Sequence, residues 1–294
     1  MRKVLILGGA GMLGHTLFRY LSEDSSLDVF ATVRSAKELS GWLSVERMKK
    51  VHRGVDIHQT ESLLKVFAEV KPDLVVNCIG IIKQVPEAKD PLTMINANAL
   101  FPHRIALLCG AVSARMIHVS TDCIFDGAKG GYSESDFSDA TDLYGRTKLL
   151  GEVAYSHCVT LRTSIIGHEL KGSYGLVEWF LSQKEKVSGY RRVIYSGLPT
   201  VELARIIRDY VIPNPEMTGL YHVSSNPISK YELLKFIKVQ YAKPIEIEPE
   251  ESYRLDRSLD SSLFRSRTGY NPPTWKELVR EMHNDFLQGP YQNG

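Results

Sequence analysis

Six short runs of aliphatic and β-branched residues recur in the first 167 positions, at 4–9, 28–34, 51–57, 74–80, 115–121 and 158–167. Helix-like stretches lie between them, from about Met12, up to about Val70, from about Leu92 to Cys109, and around Tyr144. Strands that are apolar throughout, rather than alternating, are those a parallel sheet buries on both faces. Their alternation with helices predicts a doubly wound α/β fold. After about Gly167 the pattern loosens into the helix EWFLSQKE, the strand GLYHVSS at 219–225, the helix SKYELLKFIKVQYA and a last helix after Pro272-Pro273.

The first run ends in Gly8-Gly-Ala-Gly11-Met-Leu-Gly14, so glycines fall at 8, 11 and 14 between a strand and a helix. Such a turn lets the backbone approach a pyrophosphate, and the helix N-terminus favours its charge. The prediction is therefore Rossmann-type: a nucleotide-binding domain over 1–167 and a smaller C-terminal substrate-binding lobe over 168–294, interleaved with it. The polar segment 127–142 reads as a lid, and the tail from Gln288 as frayed.

The second run ends in Val33-Arg34-Ser35. Where an NAD-selective fold places Asp or Glu for the ribose hydroxyls, an arginine accommodates a 2′-phosphate. Arg34 and Ser35 lean toward NADPH, with NADH as the alternative cofactor. Asp56, ending the third run, is either an adenine acceptor or a turn residue before the next helix. Ser120-Thr121-Asp122 stands at the carboxyl end of the fifth run, where ligands bind in such sheets. Twenty-three residues on, Tyr144 and Lys148 lie four apart and share one helical face. A phenol titrates near 10, and a neighbouring ammonium favours its ionised form. The pair is a candidate acid–base device.

With 36 basic and 34 acidic residues well mixed, the chain has no basic stripe and nucleic acid is not an expected partner. No apolar run approaches the ~18 residues a membrane span requires, so no membrane is expected either. Cys78, Cys109, Cys123 and Cys158 form no C-x-x-C pair, and the nine histidines show no H-x-x-x-H spacing. Reduced thiols, a cytoplasmic setting and no metal site are expected.

The glycine spacing, NCIG after the fourth run and Y-x-x-x-K together resemble the extended short-chain dehydrogenase/reductase superfamily. STDCIFDG, Tyr132 to Glu134, YGRTKLLGE, Asn98-Ala-x-x-Pro102, LRTSIIG and GLYHVSS resemble more narrowly the dTDP-4-dehydrorhamnose reductase family, over most of residues 1–230. The resemblance implies a reductase of a nucleotide-linked 4-keto-6-deoxyhexose, serving polysaccharide synthesis. It implies that Thr121 and Tyr144 hold the keto oxygen and that Tyr144 donates the proton. Lys148 would bind the nicotinamide ribose and lower the Tyr144 pKa. Gly8, Gly11, Met12, Leu13 and Gly14 would form the pyrophosphate turn, Asp56 and Ile57 would sit beside the adenine, and Ile79, Gly80 and Ile81 under the cofactor. Ser164 and Ile165 would lie near the carboxamide and Asp122 beside the sugar.

The substrate half departs from the family. GIIKQ stands where AAxT is usual, bringing Lys83 and Gln84 toward the sugar, and Lys83 is equally readable as a solvent-facing lysine. SGLPTVELA is two residues shorter than its counterpart between Thr200 and Leu203, and Trp179 has no counterpart. Arg191, Arg192, Arg254 and Arg257 are all candidates for the diphosphate. Two other readings remain open. One is an NADP-binding regulatory subunit like that of methionine adenosyltransferase. The other is a UDP-sugar epimerase or dehydratase, motivated by Lys83 and by Asp122 beside Thr121. A homodimer is compatible with all three.

Overall fold

A computed structural model describes residues 1–35, 39, 41–289 and 291. The six runs become parallel strands β1 (Arg2–Leu7), β2 (Leu27–Val33), β3 (Val51–Arg53), β4 (Leu74–Asn77), β5 (Arg115–Thr121) and β6 (Cys158–Thr163). Gly219–His222 returns as β7, giving one seven-stranded sheet in the order β7-β6-β5-β4-β1-β2-β3. Every pairing in it is parallel.

The alternating side chains of each strand feed two cores. Val4 and Ile6 face Leu17, Phe18 and Leu21 of helix α1 (Met12–Leu21), with Leu203 and Ile206 of a later helix. Leu5 and Leu7 face the other way, onto Val66 and Phe67 of α2 (Thr60–Val70) and Ile105 and Cys109 of α3 (Phe101–Ala111). This is the two-sided burial that the unbroken apolar runs demand. A third core, with Val177, Phe180, Leu233, Ile237, Leu278 and Met282, holds the C-terminal lobe.

Several strands are shorter than their apolar runs, for local reasons. Gly8, at φ 86°, turns the chain out of β1 before residue 9. Gly54, at φ 72°, ends β3 well before residue 57. After β4, Cys78 to Gly80 leave the sheet and line a cavity. Past β6, Ile165–Ile166 pairs instead with Leu198–Pro199.

The expected helix at 92–109 is broken into Pro91–Met94, a wider π-helical turn over Ile95–Leu100, and α3. Pro102 explains the break. It has no N–H to give the Asn98 carbonyl four residues back, so the ladder opens there. No helix among the described residues is long and apolar enough to cross a membrane.

Candidate active site

The site begins at the carboxyl end of β5. Thr121 leaves the strand and caps a short turn over Asp122–Ile124, its hydroxyl oxygen accepting the Cys123 N–H at 3.1 Å. Helix α4 (Leu143–Leu150) starts beside this turn, capped by the Asp142 carboxylate, which accepts the Gly145 N–H at 2.7 Å. Gly145 has to be glycine. A Cβ there would stand 2.3 Å from the Cys123 carbonyl oxygen. The absent side chain lets the helix rest backbone to backbone on the Thr121 turn, which brings Tyr144 to the same cavity as Thr121. A second glycine seats the far end of α4: a Cβ on Gly151 would lie 1.9 Å from the Asn98 carbonyl oxygen.

Lys148 lies one turn below Tyr144. It is 6% exposed, and its Nζ donates to the Val119 carbonyl at 2.8 Å. Burial pushes its pKa down to about 8, opposed by the Glu152 carboxylate. Burial also raises the Tyr144 phenol above its usual value, as do Cys123, Asp122 and Asp142, while the Thr121 hydrogen bond opposes them. The net direction is therefore upward. In the chain by itself, desolvation outweighs any help from Lys148, and the phenol is held protonated, as a proton donor should be.

The three side chains face a cavity of about 530 Å³. One end is the glycine turn. Gly11 caps α1 with no side chain over it, and the first turn of any helix carries N–H groups without intrahelical partners. A Cβ on Gly14 would lie 2.0 Å from the Gly8 carbonyl oxygen, and one on Gly8 2.9 Å from Ile79 Cγ1. These contacts compress strand, turn and helix into a cradle whose open donors suit a pyrophosphate. Gly11, Met12, Leu13, Ile79, Gly80, Ser164 and Ile165 line the cavity, as do Lys83, Gln84, Thr121 and Asp122.

Ile81 stands just behind, its backbone clasped by Asn98, which accepts its N–H at 2.8 Å and donates to its carbonyl at 2.9 Å. Arg34 and Ser35 are exposed at the end of β2, beside the turn that follows β3. Asp56 lies in that turn, where its carboxylate accepts the His58 N–H at 2.9 Å. Ile57 packs against the α2 core.

Sequence reading missed Lys230, which stands at the start of helix Lys230–Gln240 and lines the cavity together with Arg257, Tyr195 and Leu255. Of the four candidate arginines, Arg257 is the one that reaches the cavity. Its Nε donates to the Phe125 carbonyl at 2.7 Å. Burial raises the Asp122 carboxyl, and Arg257 and Lys230 pull it back. Burial lowers the Lys230 ammonium, with Asp122 opposing and Lys83 and Arg257 adding like-charge repulsion. Lys230 and Arg257 therefore share the Asp122 carboxylate, and Lys83 adds a third positive charge to the same cavity. Trp179 does not line the cavity and stands 38% exposed.

The lid expectation is corrected. Within 127–142, Tyr132 is buried and stacked on Phe125 at 4.1 Å, its N–H donates to the Ser258 carbonyl at 2.8 Å, and Glu134 accepts the His222 N–H at 2.7 Å. That segment is fastened down. Glu169, Tyr174, Gly175 and Leu176 border the cavity instead, and a Cβ on Gly175 would lie 2.6 Å from Met12 Cε. The four cysteines are free: Cys109 and Cys158 are buried in the core, and Cys78 and Cys123 line the cavity. No cluster of metal-ligating side chains occurs among the described residues.

Known proteins share this architecture. The spore coat polysaccharide biosynthesis protein SpsK of Bacillus subtilis (strain 168) is 29% identical over 96% of both chains. The methionine adenosyltransferase 2 subunit beta of Bos taurus is 29% identical over 79% of this chain and 70% of its own. The crystal structure of dTDP-4-dehydrorhamnose reductase from Bacillus anthracis, in complex with NADP, superposes with a TM-score of 0.78 at 21% identity, covering 97% of this chain and 99% of that one. It shares the fold, a Rossmann-like sheet of the short-chain dehydrogenase/reductase type. The family model described as RmlD substrate binding domain matches residues 1–288, and the chain belongs to that family.

Proposed function

We propose that the protein is an NADPH-dependent reductase of the C4 keto group of a nucleotide-linked 4-keto-6-deoxyhexose. The observation that carries this is the convergence of Thr121, Tyr144 and Lys148 on the cavity that the glycine turn opens into. When bound, the nicotinamide supplies the hydride. The glycine turn would hold its pyrophosphate, Lys148 the ribose, and Arg34 and Ser35 the adenosine end; NADH is the alternative.

The chain's own residues do the rest. Thr121 donates a hydrogen bond to the keto oxygen and fixes it beside Tyr144. The raised phenol pKa keeps the proton on Tyr144 Oη until negative charge develops on that oxygen, and the proton then passes to it. Lys148, still cationic below about pH 8, stabilises the phenolate left behind. Lys83, Lys230 and Arg257 take the anionic diphosphate of the sugar nucleotide against the opposite wall.

The test follows NADPH oxidation with TDP- and UDP-linked 4-keto-6-deoxy sugars, wild type beside Tyr144→Phe. Oxidation with one donor, reduced roughly 10²–10⁴-fold in the variant, is the expected result. Turnover of a sugar nucleotide without net NADPH oxidation would favour the epimerase or dehydratase reading instead. Dinucleotide binding with no turnover, together with a stable complex with a second enzyme, would favour a regulatory subunit.

A further inference from the structure

Tyr291 and the cofactor turn meet through one histidine. The Tyr291 hydroxyl lies 2.6 Å from His15 Nε2, and His15 Nδ1 lies 2.8 Å from the Gly11 carbonyl oxygen. A carbonyl can only accept, so Nδ1 carries a proton. His15 is 4% exposed and burial holds its pKa down at about 4, so the ring is neutral and carries that proton alone. Nε2 is then an acceptor, and the Tyr291 hydroxyl must donate to it. The relay runs one way, from Tyr291 O–H to His15 and from His15 N–H to Gly11.

The Gly11 carbonyl and the Met12 N–H share one peptide plane and point in opposite directions across it. The carbonyl already accepts the helical N–H of His15 at 3.1 Å, and the imidazole adds a second bond. Holding that carbonyl fixes the aim of the Met12 N–H. This is one of the first-turn donors with no helical partner, and Met12 lines the cavity. Tyr291 is itself held, stacked on Phe286 at 5.6 Å and lying edge-on to Trp42 at 6.5 Å.

We propose that Tyr291 and His15 are positioning residues for the phosphate turn: the C-terminal tyrosine orients the imidazole, and the imidazole sets the Gly11–Met12 peptide toward a dinucleotide pyrophosphate. The inference rests on the reading of the glycine turn as a dinucleotide site.

Calorimetric titration of NADP⁺ and NAD⁺ into wild type, Tyr291→Phe, His15→Leu, His15→Asn and the Tyr291→Phe/His15→Leu double variant tests it. Tyr291→Phe is expected to weaken binding about fivefold, the worth of one hydrogen bond. His15→Leu should weaken it at least as much, and the double variant no further than His15→Leu. His15→Asn keeps an amide donor near the Nδ1 position and should restore most of the affinity, an outcome that a purely structural role would not give. Equal affinities in wild type and Tyr291→Phe, or losses that multiply in the double variant, overturn the proposal. A wild-type chain that binds neither dinucleotide overturns the cofactor reading and this inference together, and is recognised by the missing wild-type signal.

Discussion

Glu152 takes the Arg162 guanidinium in a two-pronged grip, from Nε at 2.8 Å and from Nη2 at 2.7 Å, while the Ser120 hydroxyl donates to the same carboxylate at 2.7 Å. The pair ties the end of the Tyr144 helix to β5 and β6, beneath Lys148. Arg162 is 5% exposed, so the ion pair is buried, and losing one partner leaves the other charge uncompensated. Glu152→Gln should cost about 3 kcal/mol, read as a lower urea midpoint with an unchanged slope. Pairing it with Arg162→Met should recover part of that loss. A variant as stable as wild type would show that the grip carries no net energy.

The cations on the cavity wall give a separate expectation. Lys230→Met should raise the KM for the sugar nucleotide roughly tenfold, the worth of one charge-assisted hydrogen bond to phosphate, and leave the dinucleotide Kd unchanged. It should also lessen the sensitivity of KM to added salt. Equal changes in both ligands would place Lys230 in the fold rather than in the sugar-nucleotide subsite.

Stability should fall on mild acidification. Burial holds His15 and His222 at about 4, below their ordinary 6.5. Between pH 6.5 and 4 the unfolded chain binds protons that the folded chain refuses, so stability rises with pH through that window and is fully present above it. His222 has its tautomer fixed, accepting from Arg162 at Nε2 and donating to the Tyr132 carbonyl from Nδ1 at 2.9 Å. Between pH 7 and 5, wild type should lose about 2 kcal/mol more than His222→Gln. Parallel losses in the two proteins would refute the assignment.

Thr121, Tyr144 and Lys148 were legible in sequence because strand ends and helix spacing are local properties. The glycine turn was legible for the same reason, as was the family likeness they carry. Lys230 was not, and Arg257 was legible only as one of four candidate arginines, since long-range packing alone brings the two beside Asp122, and Lys230 reads in sequence as the solvated start of a helix. The segment 127–142 has the polar, glycine-rich composition of a loose loop. Its stacking on Phe125 and its bonds to residues near 258 and 222 are long-range facts that composition does not carry. The strands were drawn too long because apolar character continues past the last sheet hydrogen bond, from lining a sheet to lining a cavity. The break at Pro102 is readable, since a proline inside a helical stretch interrupts the ladder, but that it takes the form of a π-helical turn is decided by packing rather than by local sequence.

Strand β7 comes from beyond the segment that supplies the other six, and it pairs along β6 from Val159 to Arg162. It also brings His222 against Arg162 at 3.2 Å. A polypeptide ending near residue 167 would display β6 as a bare edge, with an unpaired ladder and one of its buried arginine's partners missing. Such a fragment would be prone to association with its own kind, and because residues 198–270 share one core with the first six strands, the chain should melt in a single transition and residues 1–167 should not survive proteolytic separation from the rest.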